Sequence, residues 1–140
     1  MRTISLGKPY MDDTIKQRVL AILDSGRYIL GDTCKEFEQK YATSFGTKHA
    51  VLTSSGTSAL FLTLLGLGIK PGDEIIAPGH TAYQGIEPIY HAGAIPTFID
   101  IHEQSYTIDT TKLEEAITPK TKAILPVHLY GHAANMDPLM

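Results

Sequence analysis

The sequence contains no tryptophan and a single cysteine, Cys34. One thiol cannot close an internal disulfide, which suits a reducing cytoplasm, the compartment expected for this chain. Cys34 sits among Asp32, Lys35 and Glu36 without a metal-type partner nearby and reads as structural or incidental. Positive charge is not in excess either: 12 lysines and arginines face 15 aspartates and glutamates, for a net charge of −3. Neither nucleic acid nor an anionic membrane is therefore an obligatory partner, since both are held chiefly by basic side chains. Long apolar runs are missing as well. The longest, over 60–67, is broken by Thr63 and Gly66 and is much too short to span a bilayer. The stretch 1–9 lacks the apolar core of a secretory signal. Also absent are the glycine-rich dinucleotide fingerprint, the phosphate loop of nucleotide hydrolases and the serine-hydrolase elbow.

What is present is a change of period along the chain. Its 140 residues suit one domain, which buries roughly two-thirds of its unfolded surface. Asp12-Asp13-Thr14 reads as a helix start, with Ile15, Val19, Ile22 and Leu23 on one face and Gly26 as the stop, giving a helix over 13–25. Asp32 or Thr33 then caps a second helix over 33–44, whose stripe is Phe37 and Tyr41 and which ends before Gly46. Helices placed ahead of a sheet cover a neighbouring layer or a second subunit, or simply pack solvated. From His49 onwards short apolar runs alternate with helices, the pattern of a mostly parallel sheet covered by helices. Strands are expected over 50–53, 74–77, 95–101 and 122–129, with helices over 58–67, 82–91 and, from Thr110 or Thr111, to 117. Lys70-Pro71-Gly72-Asp73 and Ala92-Gly93-Ala94 punctuate them as turns. Without a repeat or an interdomain linker, 1–140 reads as a single α/β domain.

In such sheets ligands gather at the carboxyl ends of the strands, and three groups lie there. The first runs from Ser54 to Ser58. Gly56 lets the backbone approach a ligand or take a positive φ, Thr57 or Ser58 caps the following helix, and free N–H groups with a positive dipole end suit phosphate. Most small-residue turns of this kind bind nothing, so both readings stand. The second group, Pro78-Gly79-His80-Thr81-Ala82-Tyr83, offers an imidazole and a phenol that stack on a planar ligand or pack their own helix against the sheet. The third, Val127 to His132, has His128 and His132 four apart, but Gly131 and the strand pattern argue against a metal pair. The carboxylate pairs Asp12-Asp13, Glu36 with Glu38 and Glu114-Glu115 lie on exposed helices as solvated charge.

Six motifs in order carry a resemblance: Gly26-Arg27-Tyr28-Ile29-Leu30-Gly31, Glu36-Phe37-Glu38, Ser55-Gly56-Thr57-Ser58-Ala59-Leu60, Pro71-Gly72-Asp73-Glu74-Ile75-Ile76-Ala77-Pro78, Gly93-Ala94-Ile95-Pro96 and His128-Leu129-Tyr130-Gly131. Together they resemble the amino-terminal part of pyridoxal-phosphate-dependent nucleotide-sugar aminotransferases of the DegT/DnrJ/StrS type. The resemblance implies an incomplete fold-type I transferase large domain, normally a homodimer with sites at the subunit interface. It implies pyridoxal 5'-phosphate as cofactor, its phosphate on the backbone N–H groups of Gly56 and Thr57, with Ser58 in the same turn. It further implies transfer of an amino group, typically from glutamate, to a keto-sugar nucleotide, in amino-sugar and polysaccharide synthesis. The aromatic residue that the family stacks on the pyridine ring is replaced here by Ala82, so either His80 or Tyr83 makes that contact, or something outside the chain covers the ring. Asn135-Met136-Asp137 stands where the family has an Asp-Met-Asp turn.

Under this resemblance the Schiff-base lysine and the aspartate paired with the ring nitrogen are expected beyond Met140, and none of the lysines present lies in the matching context. The chain is accordingly expected to be a fragment with no catalytic residue of its own and to be silent by itself. Two alternatives remain: the sugar-dehydratase branch of the same family, and a non-catalytic α/β binding or dimerisation module. Asn135 or Asp137 with Pro138 reads as the start of a further helix.

Overall fold

Both helices expected ahead of the sheet form in the computed structural model, which describes residues 7–140. The stretch read for a leader, 1–9, lies mostly outside the described residues. The chain divides into two compact units, Met1–Leu52 and Thr53–Met140.

In the first unit, α1 (Asp13–Ser25) starts where a carboxylate meets a free backbone donor: Asp12 accepts the Ile15 N–H at 2.8 Å. It ends at Gly26, whose φ of 67° only glycine adopts readily. Replacing Asp12 with alanine removes that acceptor, and the expected loss is about 1 kcal/mol of stability, read as a lower denaturant midpoint. In α2 (Asp32–Phe45) neither Asp32 nor Thr33 is the cap; the cap is Gly31, and no side chain accepts from the first turn. The Asp32 carboxylate turns instead to the Arg27 guanidinium, 3.3 Å away. On the exposed side of α2 the Lys40 ammonium, by hydrogen bond and then by charge, holds the Glu36 carboxyl below its usual range. The expected stripe is present but unburied: Tyr41 stacks on Phe45 with centroids 4.4 Å apart and meets Phe37 at a tilt, 5.8 Å away, and each ring's residue is about half exposed or more.

The strand expected over 50–53 does not form. An apolar run becomes a strand only where a neighbour completes its ladder. Here the Leu52 N–H donates to the Glu38 carboxylate at 2.8 Å, and Val51 is exposed.

The second unit carries the sheet. β1 (Glu74–Pro78) lies between β2 (Ile95–Ile99) and β3 (Thr121–Ile124) and runs parallel to both. Its near-continuous apolar run is what a strand covered on both faces requires. Successive side chains alternate, so Ile75 and Ala77 join one core with Leu64 of α3 (Gly56–Gly66) and Ile86 and Ile89 of α4 (Tyr83–His91). Ile76 joins the other, with Ile99, Ile108, Ala134 and Leu113 of α5 (Leu113–Ala116).

Several elements differ from expectation. β2 stops at Ile99, and Ile101 instead bridges Ile108 antiparallel. β3 ends at Ile124, although the Leu125 N–H still donates to the Ile76 carbonyl at 2.8 Å. The helix expected over 110–117 opens as a 3-10 turn, Thr110–Lys112, whose start is fixed by Asp109. The Thr111 hydroxyl and then the Thr111 N–H donate to that carboxylate and hold it below the usual range. Finally, Asp137–Leu139 is a 3-10 turn capped by Met136 without a side-chain bond, rather than a helix capped by Asn135 or Asp137.

Candidate functional site

The turn before α3 is built from hydroxyls. Ser55, in extended backbone, is the cap, and its Oγ accepts the Ser58 N–H at 3.1 Å. The expected caps, Thr57 and Ser58, are instead the second and third residues of the helix, because capping needs a residue with non-helical backbone ahead of the first turn. The Ser58 hydroxyl lies 3.1 Å from that of Ser54 and 3.0 Å from that of Ser55. The Thr53 hydroxyl donates to the Ser55 carbonyl at 2.9 Å and closes the turn.

That bonding decides which groups are left for a ligand. The first N–H groups of a helix have no partner within it, and with Ser58 engaged the free pair belongs to Gly56 and Thr57. Gly56 does not take the positive φ that was one expectation for it. A Cβ at this position would meet nothing within 4 Å, so the peptide is open to close approach. Two convergent backbone donors, a positive helix end and an open face form a donor set that fits a phosphate.

The loops after the three strands deliver three rings to one place. His80 follows β1, Tyr106 follows β2 and Tyr130 follows β3. Their centroids form a near-equilateral triangle, with His80 6.3 Å from Tyr106 and 6.0 Å from Tyr130, and the two tyrosines 6.2 Å apart. His80 Nε2 and the Tyr130 hydroxyl are 3.0 Å apart, in hydrogen-bond contact. Tyr83 is not in this group. It opens α4, is 65% exposed as a residue, and makes no ring contact among the described residues.

His128 plays a different part. Its Nδ1 accepts the Ala134 N–H at 3.0 Å, closing the loop that holds Tyr130. No group of three metal-ligating side chains occurs among the described residues. No helix among them is long and apolar enough to cross a membrane.

Tyr106 is the ring that sequence reasoning misses. The rule that looks just past each strand applies to the loop after β2 as well, but a strand extended to 101 hides where that loop begins. Tyr130 lies in a stretch whose two histidines draw attention to metal binding instead.

The comparisons with known proteins bear on this arrangement. Over 121 residues the chain is 49% identical to the dTDP-3-amino-3,4,6-trideoxy-alpha-D-glucose transaminase of Streptomyces venezuelae, covering 86% of this chain and 32% of that protein. The crystal structure of S. venezuelae DesV superposes with a TM-score of 0.84 at 48% identity, over 89% of this chain and 33% of the other. The E. coli GDP-4-keto-6-deoxy-D-mannose-3-dehydratase with bound hydrated PLP gives 0.91 at 34% identity, over 99% and 37%. The chain thus spans about a third of the length of the relatives it matches. Its α/β sheet is part of the fold of these pyridoxal-phosphate enzymes. With residues 9–140 matched by the family's model, the chain belongs to the DegT/DnrJ/EryC1/StrS aminotransferase family.

Proposed function

We propose that residues 1–140 are the amino-terminal part of the large domain of a pyridoxal-phosphate-dependent aminotransferase. In this reading the protein moves an amino group, typically from glutamate, to a keto-sugar nucleotide for amino-sugar synthesis, and works as a homodimer in the cytoplasm. The observation that carries the reading is the pair of free N–H groups at Gly56 and Thr57, at the position where the family resemblance puts the cofactor phosphate.

Pyridoxal phosphate, when bound, supplies an electron sink that the protein's side chains lack. The chain's own residues bind and orient it. Gly56 and Thr57 would donate to the phosphate, and Ser58 holds the turn through its bonds to Ser54 and Ser55. His80, rather than the exposed Tyr83, would lie against the ring.

The test is a titration of the 140-residue chain with pyridoxal phosphate, followed by absorbance, with inorganic phosphate as competitor. Saturable binding is expected. Gly56→Val introduces a branched side chain into the open face, where it blocks the phosphate without meeting the fold. Losing bonds to a charged group should weaken binding roughly 10- to 100-fold with an unchanged thermal midpoint. Equal affinity in wild type and variant would overturn the site.

A further inference from the structure

Both tyrosines beside His80 stand on left-handed backbone, at φ 58° for Tyr106 and 55° for Tyr130, and only one other non-glycine among the described residues, Leu30, does so. An L-residue in that region is strained, and such strain persists where the surroundings over-determine it. The surroundings of Tyr130 do so. Gly131 follows at φ 79°, the His132 N–H donates to the Leu129 carbonyl at 2.9 Å, and Ala134 is buried in the core against Ile76. The His128 bond to the Ala134 N–H closes the same loop. The result is a phenol aimed at one ring nitrogen, 50 residues away in sequence.

Phenol is the better donor of the two groups, because its oxygen lone pairs are partly delocalised into the ring, whereas an unprotonated imidazole nitrogen is a strong acceptor. The favoured arrangement is therefore Tyr130 O–H donating to His80 Nε2. The other nitrogen, Nδ1, must then carry the proton. We propose that Tyr130 is a positioning residue that fixes the His80 imidazole as its Nδ1–H tautomer, with the ring plane set for a planar anionic heteroaromatic ligand. The inference rests on the cofactor reading above for the identity of that ligand, and on this chain's geometry for the tautomer.

The experiment uses the full chain labelled with 15N-histidine, in alkaline buffer. The 15N shifts of His80 report the tautomer, and a pyridoxal phosphate titration is run on the same samples. Wild type should show His80 chiefly as Nδ1–H. Tyr130→Phe removes only an exposed hydroxyl and should return His80 to a mixture of tautomers. It should also weaken pyridoxal phosphate roughly three- to tenfold, the worth of one hydrogen bond. Tyr106→Phe, whose hydroxyl bonds none of these groups, should leave the tautomer unchanged. A His80 tautomer that is the same in wild type and Tyr130→Phe would overturn the positioning role. If the tautomer shifts as expected but wild type does not bind pyridoxal phosphate, the cofactor reading fails and the positioning of His80 stands.

Discussion

Ile75→Ala and Ile76→Ala should each remove about 2–5 kcal/mol, and by similar amounts, although the two side chains point to opposite faces of one strand. Both isoleucines have no exposed surface at all. Ile75 packs against α3 and α4, and Ile76 against Ile99, Ile108 and Leu113. Truncating either leaves a cavity walled by its own layer, and neither layer collapses easily because β1 is paired on both edges. Denaturant midpoints of the two variants check this. A loss below about 1 kcal/mol for one of them would mean that its layer is not packed, and that the sheet has a single working core. The result matters beyond stability, since β1 is the strand whose carboxyl end carries His80.

Gly93→Ala should be nearly as damaging, by about 2–3 kcal/mol, for two reasons that add. Gly93 has a φ of 75°, where an added Cβ is strained in any surroundings. That Cβ would also lie 3.1 Å from Pro71 Cγ and 3.3 Å from Pro71 Cα. Proline cannot yield by rotating, and this contact ties the turn after α4 to the turn before β1, where the Gly72 N–H donates to the Gly93 carbonyl at 3.1 Å. Gly72→Ala is the informative companion. It too has a positive φ, 89°, but a Cβ there meets open space. Thermal unfolding should rank Gly93→Ala as the less stable of the two. Equal loss would mean that backbone strain alone decides and that the Pro71 contact yields.

Much of the site is legible in the sequence, for reasons that are local. The turn from Ser54 to Ser58 announces itself through small hydroxyl residues next to a glycine and a helical period, and the rule that ligands collect past strand ends points to His80 and to the loop of Tyr130. The identity of the cap is not legible, because Thr53, Ser54 and Ser55, with Thr57 and Ser58 close by, all have the chemistry. Only backbone conformation separates them, and Ser55 combines extended φ and ψ with a reach to the Ser58 N–H. Tyr83 and His80 are equal candidates on composition. Three residues apart, they diverge because His80 precedes the helix and Tyr83 begins it, which sends one ring to its neighbours and leaves the other in solvent.

By itself the sequence determined what depends on neighbours a few residues away: helix stops at Gly26 and Gly46, the helix start at Asp12-Asp13-Thr14, the covered character of β1, and the order of motifs that marks the family. Tertiary structure decided what depends on partners far along the chain. The run at 50–53 has the apolar content of a strand, yet a strand exists only when another supplies its ladder, and the Leu52 N–H found the Glu38 carboxylate instead. The three rings likewise come from loops spread between His80 and Tyr130, and no local pattern could state that they meet. They meet because β2, β1 and β3 run parallel side by side, so that the loops leaving their carboxyl ends emerge on the same edge of the sheet.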